Sequence, residues 1–132
     1  MIEKSKITCV YLAVYGRNFP YFGWSVGCEV KKGDITYFIY SLFLPSPDFK
    51  SKNEVLRYMI RTILNDIDDT EDTIIFYSPL DHFHDYKRLN EIAEPHKRGR
   101  NVRFFRRGYL PITTRELESD AIERGSSITE RL

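Results

Sequence analysis

Between Ile7 and Leu44 the apolar residues come in three runs: ITCVYLAV (7–14), Trp24 to Val30, and ITYFIYSLFL (35–44). Each is rich in β-branched and aromatic types, and turn-forming residues separate them: Gly16, Asn18, Pro20 and Gly23, then Lys31-Lys32-Gly33-Asp34. Three strands are predicted, the last two as a hairpin. The first run is apolar at nearly every position, as a strand covered on both faces would be, which places it at the centre of a sheet. Pro45-Ser46-Pro47-Asp48 ends the third run. The period then changes. From Lys52 to Ile67, Val55, Leu56, Met59, Ile60, Ile63, Leu64 and Ile67 fall on one face of a helix, with Ser51 or Asn53 to cap it. That face requires a flat apolar partner, which the preceding strands supply.

The second half alternates. Asp68 to Asp72 is an acidic link to Thr73–Ser78, a short apolar strand reached through a helix and therefore parallel to the first strand. Leu80 to Glu94 sets Phe83, Tyr86, Leu89, Ile92 and Ala93 on one helical face, and Pro95 stops it. Arg98-Gly99-Arg100 predicts a turn, Asn101 to Arg106 a fifth strand, and Gly108 to Pro111 a break. Thr113 and Glu116 are spaced as a capping box for a third helix that closes at Gly125, and 126–132 reads as a frayed C-terminal tail. The expectation is one α/β domain over 1–125 with a five-stranded mixed sheet, in the order β-β-β-α-β-α-β-α.

Composition narrows the class without naming a chemistry. A chain of 132 residues that is 42% hydrophobic, with nine Tyr and nine Phe, can bury a core without disulfides or metals. No apolar run is long enough to span a bilayer, so no membrane partner is expected. The stretch MIEKSKITCV lacks the layout of a secretory signal, which points to a cytoplasmic location. Cys9 and Cys28 read as small buried hydrophobes in a reducing compartment, the other reading being a bridge between neighbouring strands. The net charge of +1 neither forces nor forbids a nucleic-acid partner, so the distribution of charge decides.

The element order, a long antiparallel hairpin followed by alternating helices and strands, resembles the ribonuclease H fold, and three stretches add to the likeness. Asn18-Phe19-Pro20-Tyr21-Phe22-Gly23-Trp24 is similar to the family's Asn-x-Gly-Pro-x-Gly-[Tyr/Trp] turn, with two of the glycines missing. Glu54 sits where the family carries its second catalytic carboxylate, and Asp120 lies in a stretch similar to the terminal helix that bears the fourth. The resemblance implies a cluster of about four carboxylates holding two divalent ions. This chain departs from it twice. No Asp or Glu occurs between Glu3 and Glu29, where strand one should bear an aspartate near Leu12 to Val14, and Tyr77-Ser78 stands where strand four should end in Asp-Ser. Glu54 and Asp120 are therefore vestigial candidates, each with a plain alternative: a first-turn acid favoured by the helix dipole, and an exposed helical charge. No catalytic set, metal site or cofactor is expected; Mg²⁺ would enter only for a nuclease using Glu54, Asp120 and an improvised ligand such as Asp81.

Asp81-His82-Phe83-His84-Asp85 invites a metal reading, but His82 and His84 are two apart and point to different sides of a helix start. No cysteine or serine has the setting of a nucleophile. The most informative charges are Lys97, Arg98, Arg100, Arg103, Arg106 and Arg107, interleaved with Phe104 and Phe105. Arginine forks suit phosphates and an exposed aromatic can stack on a base. An edge strand kept soluble by arginines, with phenylalanines in the core, gives much the same pattern. Lys4, Lys6, Arg17, Lys31 and Lys32 could extend a basic surface. The expected function is binding: first a non-catalytic nucleic-acid module, for duplex or hybrid; second a protein-interaction module, which at this size would suit a viral or mobile-element accessory protein engaging host machinery.

Overall fold

Residues 7–18, 22–68 and 73–132 are described by a computed structural model, and they form an α/β fold around one mixed sheet. The strands are β1 (Ile7–Arg17), β2 (Gly23–Lys32), β3 (Ile35–Pro45), β4 (Thr73–Ser78), β5 (Asn101–Arg106) and β6 (Ile128–Arg131), in the spatial order β5-β4-β1-β2-β3-β6. β1–β2, β2–β3 and β3–β6 pair antiparallel; β4 pairs parallel with β1 and β5 parallel with β4. Three α-helices, α1 (Lys52–Asp66), α2 (Tyr86–Ala93) and α3 (Ile112–Arg124), complete the set among the described residues.

Alternation along the strands makes the two faces of the sheet unlike. Val10, Leu12 and Val14 of β1, Val26, Cys28 and Val30 of β2, and Phe38, Tyr40, Leu42 and Leu44 of β3 point to one side. There they meet Val55, Leu56, Met59, Ile60, Ile63 and Leu64 of α1 together with Phe83, Leu89 and Phe104, as the helical period requires. Full burial of a side chain of this size is worth roughly 1.5–3 kcal/mol, so this layer supplies most of the driving force for folding.

The opposite face carries α3, and it is polar. Gly27, between Val26 and Cys28, turns towards that helix; a β-carbon there would lie 2.5 Å from the Glu118 nitrogen and nearer still to the Thr114 carbonyl. Glycine thus lets α3 lie directly on β2. Around that contact Thr113 and Thr114 donate to the Glu29 carboxylate, and the Ser41 hydroxyl donates to the Leu117 carbonyl at 2.6 Å. Arg17 grips both carboxylate oxygens of Glu118 at 2.5 and 2.6 Å and donates to Ser25 at 3.1 Å.

Four expectations are corrected. The sheet has six strands, because 128–131 is not a frayed tail but an edge strand on β3; Gly125, at φ 66°, turns the chain from α3 into it. The third helix starts at Ile112 after Pro111 without a side-chain cap, since the Thr113 hydroxyl is drawn to Glu29 and no capping box with Glu116 forms. The second helix is split: a 3₁₀ turn over Asp81–His84 precedes α2, whose cap is Asp85, and Tyr86 is exposed, leaving Phe83, Leu89, Ile92 and Ala93 buried. Finally, Cys9 and Cys28 face opposite sides of the sheet as free thiols, so no bridge joins them, and Cys9 is only half-buried. For α1 the cap is Ser51, which accepts from the Glu54 amide. Lys4 and Lys6, the middle of the Asn18 to Trp24 turn at 19–21, and most of the acidic link at 69–72 lie outside the described residues.

Candidate functional site

The two vestigial carboxylates are not brought together. Glu54 stands in the first turn of α1, where it accepts from the Lys50 amide, and Asp120 is exposed on α3, across the sheet from α1. Asp81 is 3.4 Å from Arg106. Among the described residues no three His, Cys, Asp or Glu side chains group as a metal site; His82 is half-buried and His84 exposed, on one turn of 3₁₀ helix. Where the resemblance puts its first metal ligand, Ala13 faces a cleft of about 220 Å³ lined also by Tyr15, Arg17, Arg115, Glu118 and Ser119. Glu118 is already paired with Arg17, and Arg115 is a further cation. This donor set does not fit a divalent ion, because two guanidinium groups occupy the neighbourhood of a single carboxylate.

The basic stretch separates into residues that hold the fold and residues that face outward. Arg100 is buried at 5% exposure and its guanidinium donates to the carbonyls of Leu64 (2.6 Å), Ile67 (3.1 Å), His96 (3.0 Å) and Lys97 (2.9 Å). It closes the C-terminal end of α1, where carbonyls would otherwise be orphaned. Lys97 pairs with Glu94 at 2.9 Å, and Arg98, with φ 52° in the turn before Gly99, reaches Asn65 at 3.1 Å. Arg103, Arg106 and Arg107 are exposed. No carboxylate among the described residues pairs with Arg103 or Arg107.

Arg103 and Arg107 border a part of the sheet that α3 does not cover, whereas Arg106 alternates to the other face, where Asp81 pairs with it. The helix lies on β2, β3 and part of β1, so the same face of β4 and β5 stays open among the described residues. Register places its side chains in rows: Cys9, Ile75 and Arg103 in one; Tyr11, Tyr77 and Phe105 in the next. The second row is a stack of rings running across three strands, Tyr11 on Tyr77 at 5.4 Å and 16°, Tyr77 on Phe105 at 6.1 Å and 26°. Arg107 is held over it, 5.7 Å from the Tyr11 ring centroid and 5.6 Å from those of Tyr77 and Tyr109. Such contacts are worth about 0.5–1 kcal/mol each at exposed sites, enough to fix a side chain whose charge still faces water. Burial raises the Tyr77 phenol above its ordinary range, with Cys9 and Tyr11 adding and Arg107 opposing, and burial likewise raises the Cys9 thiol.

Of the two phenylalanines in the basic stretch, Phe104 fills the core and Phe105 is 43% exposed, so the edge-strand and stacking readings each describe one of them. Tyr11 and Tyr77 are the residues that sequence reasoning missed. Comparison with protein-family models and with curated proteins finds no match to this chain.

Proposed function

We propose that this chain is a non-catalytic nucleic-acid-binding module of ribonuclease H-like fold. The order β-β-β-α-β-α-β-α within the described chain supports the fold assignment, with β6 as an addition. Ala13 beside Arg17 and Arg115, and the placement of Glu54 and Asp120 on opposite sides of the sheet, support the loss of the two-ion chemistry. The observation that carries the binding reading is the exposed pair Arg103 and Arg107 beside a row of aromatic rings, with Arg106 on the other face of the same strand, since arginine forks match phosphate oxygens and release counterions on contact. Free thiols at Cys9 and Cys28 suit a reducing compartment such as the cytoplasm. No described helix is long and apolar enough to cross a membrane.

Fluorescence anisotropy against labelled RNA, DNA and hybrid oligonucleotides at low and physiological salt tests the reading. Binding should weaken steeply with salt, and the triple variant Arg103→Ala, Arg106→Ala, Arg107→Ala should weaken it at least tenfold and flatten the salt slope by up to about three. Binding that ignores both salt and the triple variant refutes the proposal. A protein-interaction module is the second reading, favoured by Tyr109 and Ile112, which are 71% and 72% exposed beside the same loop.

A further inference from the structure

The rings across β1, β4 and β5 specify more than a charged surface would. We propose that the open half of the sheet is a site for a single-stranded segment of RNA or DNA, with a base stacked on the Phe105 end of the Tyr11–Tyr77–Phe105 row. This rests on the nucleic-acid reading and sharpens it from any polyanion to an unpaired strand.

Three features lead there. First, the row is already a stack, so a further flat ring extends it instead of disturbing it, and only one of its ends is open. At the Tyr11 end the next residue across the sheet is Glu29 of β2, buried beneath Thr113 and Thr114 of α3. At the other end Phe105 lies on β5, the outermost strand, with no strand beyond it among the described residues, and is 43% exposed.

Second, cations stand beside the row. Arg103 and Phe105 share a face of β5, and two residues along a strand are roughly 7 Å apart. Arg107 lies further in, held over the Tyr11 and Tyr77 rings and beside Tyr109, with its donors unpaired by any described carboxylate. A base on Phe105 therefore has the Arg103 guanidinium along the strand and the Arg107 guanidinium over the inner rings within the reach of a strand's phosphates.

Third, the arrangement discriminates. Bases within a duplex are stacked on one another and present no face to a side chain on a sheet, so a duplex can use only the arginines. A splayed strand uses the ring as well.

The test compares a labelled unstructured oligonucleotide, as RNA and as DNA, with a blunt duplex of the same length at physiological salt, for the native chain and for Phe105→Ala and Phe105→Tyr. The exposure of Phe105 allows both variants to fold, which circular dichroism confirms before titration. The native chain should bind the single strand at least tenfold more tightly than the duplex. Phe105→Ala should lose about tenfold on the single strand and nothing on the duplex, and Phe105→Tyr should behave as native. Equal affinity for duplex and single strand, or an unchanged Phe105→Ala, overturns the inference; binding that the Arg103, Arg106 and Arg107 triple variant weakens, titrated alongside, would leave the broader reading standing. No binding to either species overturns both.

Discussion

Replacing Gly27 with alanine is expected to destabilise the fold by about 3 kcal/mol, at the upper end of overpacking costs, and to lower the urea midpoint accordingly. A β-carbon at Gly27 would fall inside contact distance of two backbone atoms of α3, the Thr114 carbonyl and the Glu118 amide, and not of the movable end of a side chain. Neither can yield without lifting the helix from β2. Lifting it would strain the hydrogen bonds from Thr113 and Thr114 to Glu29 and from Ser41 to the Leu117 carbonyl. Gly108→Ala is the control: nothing lies within 4 Å of the added carbon, and its effect should stay within about 0.5 kcal/mol. Equal midpoints for the two variants would mean that α3 is not seated on β2 as described.

The second large effect is asymmetric. Arg17 and Glu118 form an ion pair in which one guanidinium nitrogen, Nη2, donates to both carboxylate oxygens, and its members differ in burial, 32% exposure for the arginine side chain and 3% for the carboxylate. Arg17→Ala strands a buried charge, and breaking such a pair typically costs about 3–5 kcal/mol. Removing Glu118 instead leaves a guanidinium that water can reach, with Ser25 still accepting from it, at a cost of about 1–2 kcal/mol. Chemical denaturation should accordingly rank Arg17→Ala below Glu118→Ala, and the double variant should be more stable than Arg17→Ala alone. If the double variant is the least stable of the three, the pair is not the unit that holds α3.

How much of this was legible follows from what each residue's neighbours in sequence reveal. The helix over Lys52 to Asp66 and the first three strands announce themselves, because α1 has a clean 3.6 period and the strands are bounded by Gly, Pro and Asp. The polar layer beneath α3 does not. Ser25, Gly27, Glu29 and Ser41 are partners only because Arg17, Thr113, Thr114 and Glu118 arrive from far along the chain. The same holds for the open face. In Thr73–Ser78 the inward Ile74, Phe76 and Ser78 alternate with Thr73, Ile75 and Tyr77, yet the run mixes apolar and polar types on both sides, so no period of two is visible. In β1 the near-continuous apolar run suggested cover on both faces, whereas Tyr11 belongs to the part that α3 leaves bare. Arg100 and Arg103 are alike in sequence and opposite in role, since one meets the carbonyls ending α1 and the other meets solvent.

The edge strand β6 bears on a hazard that the sheet would otherwise carry. The segment ITYFIYSLFL at 35–44 contains no charge, no proline and no glycine, the composition that templates intermolecular β-pairing and fibril growth. As an outer strand it would offer its main-chain groups to any passing chain. Instead Phe38, Tyr40 and their neighbours are paired with Ile128–Arg131, the Leu132 amide takes the Tyr37 carbonyl, and the Ser127 hydroxyl both accepts from the Phe43 amide and donates to its carbonyl. What now lies outermost is a four-residue strand, all of it exposed, with Glu130 and Arg131 at its end. Four residues of charged edge make a poor template, so the chain guards its own colloidal stability with a segment that contributes nothing to the core.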